Sequence, residues 1–118
     1  MYDYMATVVG VHDGDTVTLD VDLGFNIHFQ LKCRLDGINA PELPTDAGMA
    51  AGKHLKELIL RGGNAVGRVH VLTNKDKQEK FGRYLAILWS PTIEFANVSI
   101  NKQMIDDGFA VEYHGGAR

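Results

Sequence analysis

Ten residues in the first third of the chain restrict its possible folds more than any other stretch. Between Ile27 and Asp36, the apolar residues Ile27, Phe29, Leu31, Cys33 and Leu35 alternate with His28, Gln30, Lys32, Arg34 and Asp36. A period of two belongs to a β-strand with one buried and one wet face, and it sets Arg34 on the wet face near the strand's end. Gly37 breaks the pattern, and the chain turns through Asn39-Ala40-Pro41 to present Glu42 eight residues after Arg34. Pro41 fixes its own φ, donates no ladder hydrogen bond and biases Ala40 toward an extended backbone. A cation and a carboxyl group therefore stand at a stiff strand-to-loop exit, and such exits are where sites are built.

The segments on either side continue the β pattern. Met5 to Val11 is a β-branched run that reads as a first strand, and His12-Asp13-Gly14-Asp15 is a hairpin signal. Thr16 to Asp22 alternates as a second strand, with Val17, Leu19 and Val21 inward, and Leu23 to Asn26 turns the chain into the third. After the Leu43-Pro44-Thr45 loop, Asp46 is positioned to cap a helix carrying Ala50, Ala51, Leu55, Leu58 and Ile59, which Gly62-Gly63 stops. Val66 to Thr73 reads as a fourth strand, Asn74 to Lys80 as a polar hairpin loop, and Arg83 to Trp89 as a fifth strand halted by Ser90-Pro91. Asn97 to Asp107 leads into a short helix with Met104 and Ile105 inward and Gly108 as its C′ residue. Phe109 to Tyr113 reads as an extended tail, and residues 114–118 as a frayed end. Five strands, a helix between the third and fourth, and a short C-terminal helix predict a mainly β (α+β) chain folded as an OB-fold barrel. A length of 118 residues suits one domain over 1–118.

Composition narrows the function classes. With 45% hydrophobic and 23% charged residues the chain has the make-up of a globular protein. Its single cysteine, Cys33, cannot form an internal disulfide and reads as a small buried hydrophobe. No run approaches the ~20 apolar residues of a membrane span, so no membrane partner is expected. Met1-Tyr2-Asp3-Tyr4 lacks the basic and apolar regions of a signal peptide, which suggests an intracellular protein or a mature secreted form. The five histidines show no metal spacing and read as surface or satisfied residues. The net charge of −3 is decisive in one respect: any nucleic-acid role must rest on a local cluster of Arg and Lys.

Four motifs occur in order along nearly the whole chain: Asp13-Gly-Asp-Thr16, Arg34 through Pro41-Glu42, Phe81-Gly-Arg83, and Asn101 through Gly108-Phe-Ala110. Together they resemble the staphylococcal nuclease (thermonuclease) family. The resemblance implies an OB-fold that hydrolyses DNA and RNA with a calcium ion, cleaving the bond to the 5′ oxygen and leaving 3′-phosphate ends. It implies that Asp15, Asn39 and the Ala40 carbonyl hold the calcium and that Asp13 lies in its outer shell. Glu42 then corresponds to the glutamate proposed as general base, and Arg34 and Arg83 to the two phosphate-binding arginines. Lys80, Phe81 and Tyr113 are expected to meet the substrate, Phe81 where the family's prototype has a tyrosine and Tyr113 by stacking on a base. Asn39 stands where the prototype has an aspartate. The overall acidic balance departs from a strongly basic prototype, the loop after Glu42 is short, and no C-terminal helix follows Tyr113. The expected partners are DNA and RNA in single-stranded or frayed regions, met by a monomer.

The residue types suit that chemistry. Calcium is hard and takes oxygens from carboxylates, amides and backbone carbonyls. A planar guanidinium grips phosphate oxygens bidentately, which Lys cannot do. Taken singly, each residue has a plainer reading: Asp13 and Asp15 as turn formers, Arg34 and Glu42 as a surface ion pair, Arg83 as a solvated strand end. The rival functions are a catalytically silent OB-fold module that binds nucleic acid, and a small structural or calcium-binding protein. Such modules lose the catalytic arginines or acidic residues, whereas this chain has Asp15, Arg34, Glu42 and Arg83.

Overall fold

β2 (Thr16–Asp22) shows the alternation at its clearest, with Val17, Leu19 and Val21 buried and the polar residues between them less so. It pairs antiparallel with the long β1 (Tyr2–Asp13) on one side and with β3 (His28–Leu35) on the other. β1 bends through irregularities between Val8 and Gly10 and between Val11 and Asp13, and its first half pairs with β5 (Arg68–Lys75). Bulges of this kind increase local twist and let one strand serve two neighbours. β6 (Tyr84–Trp89) runs antiparallel to β5 and parallel to β3, closing a barrel in the order β1-β2-β3-β6-β5. This computed structural model describes residues 2–75 and 84–113. The hairpin loop expected from Asn74 starts later, since β5 runs on through Asn74 and Lys75. The rest of that loop, the start of the fifth barrel strand at Arg83 and the expected frayed end at 114–118 lie outside the described residues.

The OB-type barrel and its two helices agree with the sequence-based reading, and further details differ. Helix α1 (Asp46–Ile59) is capped by Thr45, whose Oγ accepts from the Gly48 N–H at 3.0 Å, and Asp46 sits in the first turn, where its charge suits the helix dipole. Ala50 is exposed, so the buried face of α1 runs through Gly48, Ala51, Leu55, Leu58 and Ile59. A second, two-stranded sheet pairs β4 (Ile38–Asn39) with β7 (Val111–Glu112). Ile27 and Phe29, expected inside, are 55% and 49% exposed, because β3 pairs with β6 only from Cys33 to Leu35 and its first half projects past that contact.

The interior holds Cys33 and Leu35 from β3, Val69 and Val71 from β5, and Ala86 and Leu88 from β6, with Leu55, Ile100 and Met104 packed from the helices. Helix α2 (Ile100–Asp106) is capped by Ser99 and ends at Gly108, whose φ of 83° gives the left-handed turn expected of a C′ glycine. Buried Asn101 joins α2 to the place where β3 and β6 meet: its Oδ1 accepts from the Leu88 N–H, and its Nδ2 donates to the carbonyls of Asp36 and Ala86. Every polar atom of that side chain is thereby satisfied next to the exit of β3.

Candidate active site

The β1–β2 turn supplies the first groups. Asp13 Oδ1 accepts from the Asp15 N–H at 3.0 Å, a local bond that fixes the Asp-Gly-Asp turn. Gly14 lies where any larger residue would collide, since a Cβ there would stand 2.7 Å from the Cβ atoms of both Ala40 and Ala51. The turn is thus pressed between the β4 loop and α1, and Asp15 is driven inward until only 4% of it is exposed.

Asp15 joins the elements of the site. Its Oδ2 accepts from the Ala40 N–H at 3.0 Å and from an Arg34 Nη2 at 3.4 Å, and its Oδ1 accepts from the Thr16 hydroxyl at 3.1 Å. Its backbone carbonyl accepts from the Leu35 N–H at 2.7 Å. Burial pushes the Asp15 carboxyl above its ordinary pKa and Asp13 beside it adds to the rise, against the Ala40 N–H and Arg34, which pull it down. Asp13 moves the other way: burial raises it, but hydrogen bonds with Asp15 and Thr16 outweigh burial. The two neighbouring carboxyl groups are thus shifted in opposite directions.

Arg34 was expected on an open wet face. Its side chain is instead only 16% exposed, wedged against Asp15, and its Nε is buried without a hydrogen-bond partner among the described residues. A buried N–H left unpaired costs roughly 1–3 kcal/mol, and Arg61 Nε is in the same state. Glu42 is exposed, and its carboxylate makes no hydrogen bond or ion pair among the described residues. Its backbone is firmly held, however. The Glu42 carbonyl accepts from the Thr45 hydroxyl at 2.6 Å, and Gly48 packs so closely that a Cβ there would lie 2.3 Å from that oxygen.

The fold therefore brings together Asp13, Asp15, Arg34 and Ala40, with Asn39 half-buried in β4 beside Ala40. Glu42 stands two residues further along the same loop. Tyr113 is half-buried, its N–H donating to the Gly37 carbonyl at 2.8 Å. Lys80, Phe81 and Arg83 lie outside the described residues. Thr16, Gly14, Gly48 and Asn101 support the site without having been singled out by residue type. The Asp-Gly-Asp-Thr motif held the only signal for Thr16. The four described histidines each have a hydroxyl or carboxylate partner: His12 with Thr18, His28 with Asp20, His54 with Asp107, and His70 with Asp3. Burial pushes the Cys33 thiol up to about 12, in keeping with an inert core residue.

Among the described residues, no three or more His, Cys, Asp or Glu side chains group so as to hold a metal ion. A cation at this site must rely on amide and backbone oxygens beside a single first-contact carboxylate. Asp15, Asn39 and Ala40 lie close together here, and carboxylate, amide and backbone carbonyl oxygens are the kinds of donor a hard cation takes. The buried Asp15 carboxyl, raised by burial and by a second carboxyl, is a place where added positive charge is favourable.

At the exit of β3 from this closed OB-type barrel, buried Asp15 and half-buried Asp13 stand beside a partly unpaired arginine. The chain belongs to the staphylococcal nuclease homologue family, whose profile matches residues 32–117. No curated protein matches it closely enough to count as a relative. Membership carries a nuclease-like or nucleic-acid-binding role. The matched span begins after the Asp13–Thr16 turn, and it is the bonds from Asp15 to Ala40 and Arg34 that tie that turn to the matched region.

Proposed function

We propose that the chain is a calcium-dependent nuclease that hydrolyses phosphodiester bonds of DNA and RNA, breaking the bond to the 5′ oxygen and leaving 3′-phosphate ends. The observation that carries this reading is Arg34, a largely buried guanidinium with one N–H unpaired beside an acidic pair. A phosphate oxygen would take the Nη donors that Asp15 leaves free, and the attraction would grow as charge develops on the reacting phosphate.

In this reading Asp15, Asn39 and the Ala40 carbonyl would hold the calcium, with Asp13 in the outer shell. The bound ion supplies positive charge against the reacting phosphate. Arg34 and Arg83 hold the scissile phosphate from two sides and fix its orientation. Glu42, exposed at the loop exit, takes the proton from the attacking water, which approaches phosphorus opposite the leaving 5′ oxygen. Thr16 and the Ala40 N–H hold the Asp15 carboxylate in place while Arg34 turns its remaining donors to the substrate.

The test is direct. Single-stranded DNA incubated with the protein and calcium should be cut to products with 3′-phosphate ends, and a chelator should stop the reaction. A protein that binds the strand without cutting it, with or without calcium, is instead a silent binding module. Arg34→Lys and Arg83→Lys separate the two further. They keep the charge and lose the planar fork, so turnover should fall roughly 10²-fold while strand affinity and its salt slope change little. Variants that differ from the parent only in affinity would favour the module.

A further inference from the structure

The outer face of the β1–β2–β3 sheet continues past the active site in rows set by strand register. The row at the site is Asp13–Thr16–Arg34, and the next outward-facing row is Gly10–Thr18–Lys32. Lys32 stands two residues from Arg34 on the same face of β3, hence ~7 Å along the strand. Its side chain is exposed. Gly10, opposite Thr18, contributes no side chain, and even an added Cβ there would only reach 3.9 Å from the Thr18 Cβ. The result is a shallow trough floored by Gly10 and Thr18, walled by Lys32 on one side and on the other by exposed His12, whose Nε2 lies 2.8 Å from the Thr18 hydroxyl.

The His12–Thr18 pair has a donor to spare. A neutral imidazole carries one N–H and the hydroxyl one O–H, and the bond between them uses one of these protons. Whichever tautomer is present, one proton is left to donate to a further acceptor. Lys32 adds a full positive charge and three rotatable donors. The next row outward is of mixed sign, since Thr7 also pairs with Arg68 of β5, whose side chain is exposed. There Thr7–Asp20–Gln30 carries Asp20, paired with His28 at 3.2 Å, and Met5–Asp22–His28 carries Asp22 beyond it. Along β2 and β3 themselves, Lys32 thus stands between the arginine of the site and two carboxylates.

We propose that the Gly10–His12–Thr18–Lys32 trough is a second phosphate subsite, which takes the phosphodiester adjacent to the one at Arg34. The proposal rests on the nuclease reading for the position of the first phosphate. It adds a preference for substrates with at least two phosphodiesters, set by residues that do not touch the reacting atoms.

The experiment compares thymidylyl-thymidine, which has one phosphodiester, with a thymidine hexanucleotide under calcium at fixed salt. Lys32→Ala should raise KM for the hexanucleotide roughly threefold to tenfold, hold kcat, and leave KM for the dinucleotide unmoved. Lys32→Arg should restore the hexanucleotide KM, and His12→Ala should cause a smaller rise in the same direction. The salt slope of hexanucleotide binding should fall by about one on loss of Lys32. Equal changes on both substrates, or none on either, would overturn the subsite. If the parent cuts neither substrate, the nuclease reading fails. Anisotropy of labelled hexanucleotide then decides the trough separately: weakened binding by Lys32→Ala upholds it, and unchanged binding removes it.

Discussion

At the end of the barrel where β2 begins and β3 finishes, Asp15, Thr16, Arg34 and Ala40 commit their polar atoms to one another inside a turn pressed between a loop and a helix. At the end where β2 finishes and β3 begins, several large apolar side chains are partly bare. A cleft of about 260 Å³ opens there between Tyr4, Val21, Leu31, Thr73 and Tyr84, with Leu23 and Phe29 also on its wall. The β2–β3 turn beyond it holds Phe25 at 98% exposure with a φ of 54°, in the left-handed region followed by Asn26 at 61°. Apolar contacts are non-directional and tolerate such looseness, whereas hydrogen bonds weaken steeply with angle and distance. A site that must aim donors at a phosphate therefore belongs at the first end, where close backbone approaches remove slack.

That contrast can be broken in graded steps. The largest effect is expected at Glu42, whose backbone is fixed by Thr45 and Gly48 while its carboxylate stands in solvent. Glu42→Gln should lower turnover about 10²–10⁴-fold with fold and strand affinity kept, the usual range for a general base. Activity within a few-fold of the parent would remove Glu42 from the chemistry. Next comes the cation. Asp15→Ala should raise the calcium needed for half-maximal activity, and Asn39→Asp should lower it by adding an anionic ligand. An unmoved calcium titration for Asn39→Asp would take that residue out of the ion's first contacts.

Stability should show the same polarity between the two ends. Gly14→Ala forces a methyl group against Ala40 and Ala51, so thermal or denaturant unfolding should register a loss of roughly 1–3 kcal/mol, accompanied by reduced activity. A variant as stable and active as the parent would show that the turn has room to give. Smallest of all, Phe25→Ser at the bare end should change stability by no more than about 0.5 kcal/mol and leave cleavage unaltered, as expected for a side chain in open solvent. A larger loss would mean that the apolar end is packed against something the exposure of Phe25 does not reveal.

Much of the fold was legible because its signals are local. The alternation in β2, the Asp-Gly turn and the Gly108 C′ position each depend on a few consecutive residues, and the structure has all three. Helix α1, by contrast, ends at Ile59 with Leu60 as its C-cap, short of Gly62-Gly63. The failures share a cause as well. A period of two says which residues of β3 share a face, but not how far the neighbouring strand extends to cover them, and so Ile27 and Phe29 were misplaced. β4 and β7, two residues each, are too short for any periodicity to register. Thr45 rather than Asp46 caps α1 because the turn beginning at Glu42 brings the Thr45 hydroxyl to both the Gly48 N–H and the Glu42 carbonyl.

By itself the sequence determined the element order, the barrel class and the residue types that suit phosphate and calcium, since backbone preference and side-chain chemistry belong to each residue wherever it lies. Tertiary structure alone decided that Asp15 would meet an N–H 25 residues away, that Arg34 would be buried with one donor unpaired, and that Lys32, Thr18 and His12 would line one trough. Those outcomes required β2 to lie between β1 and β3 in a fixed register and α1 to press on the turn. The free energy that enforces register and burial comes from the whole apolar interior, so it cannot be read from any segment taken alone.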